Sequence, residues 1–207
     1  MTEAWPWLAL AALGAFHGLN PAMGWLFAVA LGLQRESMGA VLWSLAPISL
    51  GHAMSIALVV VVVSVLQALI DFSLLQWGAA LLLMGFGVYR LGARHRGRGG
   101  MQVGFGELAL WSFLMATAHG AGLMVVPVLL HLPIHAGHAA HLQPDMGAAA
   151  VGLHTAAMLA VAGAVAVVVY RWVGLAFLRR GWINVDLIWA LALIAAGVVL
   201  LVPALAD

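Results

Sequence analysis

Four histidines lie inside the apolar stretches of this 207-residue chain: His17, His52, His119 and His154. Their spacing repeats, 52 − 17 = 154 − 119 = 35, and the second pair is the first displaced by 119 − 17 = 102 positions. An ionisable ring is costly to hold in a membrane-spanning helix and marks a functional site by default. Four of them placed by an internal duplication point to one shared site assembled from two halves. Neutral imidazole is a ligand for nickel, cobalt, copper or zinc. No Asp or Glu falls mid-way along an apolar stretch; Glu36, Glu107 and Asp186 sit at ends. That disfavours hard, oxygen-ligated ions and a carboxylate proton relay.

Each histidine has neighbours that bear on its chemistry. After His17 come Asn20, Pro21 and Met23. Pro21 removes a backbone donor and frees carbonyls one turn earlier, so the span is expected to break beside the histidine. Asn20 or an ion would partner those carbonyls; a plain proline kink is the competing explanation. His52 has Ser49 and Ser55 at −3 and +3, read as a polar stripe, with Met54 close by; helix–helix glue is the bland alternative. Met115 lies four before His119, and Met158 four after His154, with Thr155 adjacent. Methionine is usually a core filler, but His with Met23, Met54, Met115 and Met158 as auxiliaries suits a softer transition ion. A separate tract, His131, His135, His138 and His141, has the composition of an external metal-collecting loop, although Pro133 and Pro144 fit a polar loop tip equally well.

The elements that must carry these residues are membrane helices. The chain is 65% hydrophobic and 7% charged, with a mean hydropathy of +1.10. Six spans are expected, roughly 5–33, 39–68, 73–93, 106–131, 146–170 and 183–204, giving an all-α integral membrane protein. The N-terminus has no basic leader, so the first apolar run is read as a retained span. With the basic segment Arg94–Arg98 inside, every Arg falls at a cytoplasmic end, which predicts N-out and C-out in a bacterial-type inner membrane. Residues 1–93 and 106–207 then form two three-helix repeats joined by a linker over 94–105. Trp77 and Gly85 match Trp189 and Gly197 at an offset of 189 − 77 = 112. Three helices per repeat forces the halves to face opposite ways, the 3+3 inverted-repeat plan of secondary transporters.

The elements His17-x-x-x-Pro21 and Leu50-Gly51-His52-Ala53-Met54-Ser55 resemble the nickel/cobalt transporter superfamily of efflux and uptake permeases. That superfamily sits in a wider group of six-helix membrane proteins with 3+3 repeats, including lysine exporters and the thiol-redox CcdA type. The resemblance implies a transition-metal permease whose site includes His17 and His52. One departure stands out: Met23 occupies the place of the second His in the His-x-x-x-Pro-x-His pattern of that superfamily.

Other functions are weighed against this one. Four histidines on neighbouring spans would also serve as axial ligands of two bis-His b haems. A metal-handling assembly subunit of a larger membrane complex, or a homodimer, fits the same residues. A net charge of +1 excludes nucleic acid as a partner, and zero Cys excludes disulfides and thiolate chemistry. No nucleophile–base pair or phosphate-binding loop supports an enzyme; the expected partners are the lipid bilayer and a small metal ion.

Overall fold

The chain breaks where Asn20 meets Pro21. A residue before proline is pushed out of the helical region, and Asn20 is extended (φ −72°, ψ 121°) at the end of α1, Trp5–Leu19. Its Oδ1 accepts the Ala22 N–H at 2.9 Å. A single 3-10 turn, Pro21–Met23, follows, and Gly24 reverses the backbone at φ 118° before α2, Trp25–Gln34. The Trp25 indole N–H donates back across the break to the Leu19 carbonyl at 3.1 Å. Asn20→Ala removes the cap and should cost about 1 kcal/mol of stability, read as a lower melting temperature in detergent. An unchanged melting temperature would show that Pro21 and Gly24 hold the break unaided.

The computed structural model describes residues 4–92, 104–130, 132, 144–173 and 185–204. Every element among them is helical. After α2, Ser37 caps α3, Met38–Leu69, its Oγ accepting the Ala40 N–H. At 32 residues, α3 is about 48 Å long, more than an apolar core about 30 Å thick needs. Next come α4 (Phe72–Gly92), α5 (Phe105–Ala118) and α6 (Ala121–Leu129). Then α7, Pro144–Val168, runs into a π turn over Val169–Val173, and α8 is Val185–Ala204.

Among the described residues, three helices are long and apolar enough to cross a membrane: Met38–Gln67, Phe72–Tyr89 and Asp145–Trp172. A fourth qualifies if α5 and α6, bent by 59°, count as one span. The apolar helices Trp25–Gln34 and Ala190–Val202 are shorter. The helical pieces follow the six expected stretches, with the first and fourth each divided in two. In the fourth the break is not at Pro127, which lies inside α6. It falls at His119–Gly120, where Gly120 adopts φ 70°. A proline removes one donor but preserves helical φ, whereas a left-handed residue turns the axis.

Packing pairs the helices α1 with α7, α3 with α5 and α4 with α8. Glycine makes these approaches possible. A methyl group on Gly14 or Gly18 would overlap the His154 or Met158 carbonyl of α7, and one on Gly51 would overlap the Ala109 carbonyl of α5. Between α4 and α8 the approach is reciprocal: Gly87 lies on Ala190 and Ile194, and Gly197 on Ala80 and Met84. Equivalent positions of the two helices are therefore offset by 197 − 87 = 110, two short of the sequence match. Gly85, the sequence partner of Gly197, has nothing within 4 Å. Gln76 adds a buried bond from α4 to the Leu200 carbonyl of α8 at 2.8 Å. The outer faces of α3 and α4 leave Leu58, Val61, Leu74, Leu81 and Leu82 exposed, as lipid-facing surfaces require.

Candidate functional site: a buried imidazole cluster

The breaks leave one histidine at the end of each first helical segment. His17 is in the last turn of α1, and its Nδ1 bonds the Leu13 carbonyl four residues back at 2.6 Å. His119 caps α5, and its Nδ1 bonds the Met115 carbonyl, also four back, at 2.8 Å. These two residues occupy equivalent places in the two halves of the sequence and make the same local bond. A proton on Nδ1 satisfies each carbonyl and leaves Nε2 as the lone-pair nitrogen.

His52 and His154 come from the middles of α3 and α7. The His154 Nδ1 reaches the Leu10 carbonyl of α1 at 3.2 Å. Gly14 lets α1 lie against the α7 backbone at this level. The rings of His17, His52 and His154 meet. His17 packs edge-on against His154 with centroids 4.8 Å apart, and against His52 at 5.4 Å. His52 and His154 stack at 5.6 Å with planes 6° apart. His119 lies within electrostatic reach of His17. All four are fully buried at 0% exposure, so three imidazoles from three helices share one desolvated point.

Neither nitrogen of His52 has a hydrogen-bond partner, nor does Nε2 of His154. Buried polar atoms are normally satisfied, so such orphans call for an explanation by strain, a role in function or a bound species. The rings stack and meet edge-on rather than aim three nitrogens at one centre. Among the described residues, no set of three or more His, Asp or Glu side chains is grouped to hold a metal ion. Ligation by two of these nitrogens requires rotation of the rings. A porphyrin requires its two axial imidazoles to lie on opposite sides of a wide flat macrocycle. Rings in direct contact leave no such slot, and the cluster does not fit haem.

The auxiliary residues divide. Met158 is fully buried one turn beyond His154, and Met23 is buried at the 3-10 turn. Met115 is half-buried and contributes its carbonyl to His119. Met54 is 54% exposed and faces away from the cluster. Asn20 is buried and spends its Oδ1 on the helix break. Thr155 is half-buried, its Oγ1 without a partner. His131, His135, His138 and His141 lie outside the described residues, as do the basic segment Arg94–Arg98 and Arg179–Arg180.

The expected polar stripe through Ser49, His52 and Ser55 does not form. Steps of −3 and +3 put the serines about 120° apart around the helix. Ser55 is buried and bonds Thr117 of α5 at 3.0 Å, while Ser49 bonds the Ala46 carbonyl on its own exposed side. Thr117 is not among the expected site residues. The pair sets a polar bridge between α3 and α5, three residues from His52 and two from His119. Ser112 adds a second, to the Ile48 carbonyl at 2.7 Å. The sequence signal for the first bridge is a hydroxyl three residues after His52 and another two before His119.

Comparison with known protein families, with curated proteins and with solved structures finds no match to this chain.

Proposed function

We propose that this protein is a transition-metal ion permease of the nickel/cobalt or copper class, with the imidazole cluster as its mid-membrane site. The observation that carries this reading is the meeting of His17, His52 and His154 at ring distances of 4.8–5.6 Å, fully buried, beside a broken helix. Buried imidazole costs stability, and one helix–helix contact needs only one such group. Several ligands from different helices at one depth are what a cargo ion needs when it sheds its water.

The six stretches are read as a 3+3 inverted repeat with N-out, C-out topology in a bacterial-type inner membrane. Support comes from the packing of α1 on α7 against that of α5 on α3, from the reciprocal Gly87 and Gly197 contacts, and from a break after each of His17 and His119. Such a plan puts the site at the repeat interface and lets the halves rock about it. The hinges are Asn20–Gly24 and Gly120, where the backbone of the first and fourth stretches leaves the helical region.

Proteoliposomes loaded with a metal-sensitive dye test the proposal. The wild type should carry at least one of Ni(II), Co(II), Zn(II) or copper, and His17→Ala/His119→Ala should lose about tenfold or more of that flux, equivalent to about 1.4 kcal/mol in binding or barrier. Normal flux in the double variant would sink the site assignment.

A further inference from the structure

We infer that the imidazole cluster selects a soft monovalent cation, Cu(I) in a cell, over the divalent transition ions; this rests on the permease reading above. The first ground is charge. No described helix carries an acidic residue beyond its first turn: Glu107 and Asp145 sit in the first turns of α5 and α7, and Asp186 is the second residue of α8. Glu36 and Asp71 lie in the connections either side of α3. An ion at the cluster therefore meets imidazole and backbone dipoles but no carboxylate from the described helices. The cost of taking an ion out of water rises as the square of its charge, so a divalent ion is penalised roughly four times as heavily. A site for divalent cargo would have to offset that with a carboxylate.

The second ground is ligand number. The three rings do not converge three nitrogens on one point; the nitrogens that lack hydrogen-bond partners belong to His52 and His154, whose rings are stacked with planes 6° apart, so one ring must rotate before both can face an ion between them. A filled-shell monovalent ion accepts two near-linear ligands; nickel, cobalt and zinc take four or more. The third ground is softness. Met158 is fully buried on the turn of α7 next to His154, and thioethers favour Cu(I). No redox step is involved: the ion enters and leaves in one oxidation state.

The test uses the full-length protein in proteoliposomes. Flux of Cu(I), held reduced under anaerobic ascorbate, is compared with that of Ag(I), Ni(II), Co(II) and Zn(II). Ag(I) is the redox-inert probe of the same charge and softness. Cu(I) and Ag(I) should each exceed every divalent ion by about tenfold or more. Met158→Leu, which keeps volume, should weaken Ag(I) binding to the folded protein several-fold. Histidine-dependent flux of a divalent ion, with Cu(I) and Ag(I) excluded, would overturn the inference and leave the permease standing. No flux of any ion would overturn both. Unchanged Ag(I) binding in a well-folded Met158→Leu protein would remove the thioether from the argument and defeat the softness claim.

Discussion

His52→Leu should melt at a higher temperature than the wild type and carry no metal. His52 is fully buried, and neither ring nitrogen has a hydrogen-bond partner. A buried polar group left unsatisfied costs about 1–3 kcal/mol. Leucine is of similar bulk and brings no polar atom, so the replacement should gain about 1–2 kcal/mol. His154→Leu is the internal comparison. It strands the Leu10 carbonyl that His154 now bonds, so its gain should be smaller or reversed. Thermal unfolding in detergent and flux in vesicles, measured on the same preparations, give both readouts. A more stable but inactive His52→Leu is the pattern of a group kept for function at the expense of stability. A loss of more than 1 kcal/mol (about fivefold in the folding equilibrium) would instead make His52 a packing residue and remove it from the site.

Gly51→Leu should be the most damaging single substitution near the cluster. Its Cβ would overlap the Ala109 carbonyl and lie 2.8 Å from the Phe113 nitrogen, both backbone atoms of α5. A helix backbone cannot step aside as a side chain can, so α3 and α5 must separate. Overpacking of this kind costs about 3 kcal/mol. The separation would also stretch the Ser55–Thr117 and Ser112–Ile48 bonds and shift His52, the next residue. Gly85→Leu on α4, with nothing within 4 Å, should stay within about 0.5 kcal/mol of wild type. Yield and melting temperature of the two variants, compared side by side, decide the matter. Equal stability would mean that the α3–α5 approach is looser than the glycine contact implies.

The breaks illustrate how local chemistry was readable and how far. Asn-Pro in the first apolar stretch announced its own interruption, because the restriction on a residue before proline is a property of two adjacent residues. In the fourth stretch the proline, Pro127, stays inside a helix, and the chain turns at Gly120. Glycine permits the left-handed conformation without announcing it. What selects Gly120 is its surroundings: the Phe86 ring and Leu193 pack where a Cβ would stand. The serines beside His52 carry the same lesson. Their spacing placed both near the histidine, but only the position of α5 made Ser55 the inner one.

The sequence by itself determined the helical class, the apolar stretches, the break at Asn20–Pro21 and the four histidines with their repeated interval. Each of these follows from residue type and separation along one chain. The tertiary structure alone decided which rings touch, which methionines are buried and what each glycine packs against. It put Met158 in the core and Met54 outside, and made Gly87 rather than Gly85 the structural equivalent of Gly197. Apolar helices with little amphipathic bias carry almost no record of which face turns inward. That choice is made by backbone-to-backbone fit between helices distant in sequence, and it is this fit that brings His17, His52 and His154 into one contact.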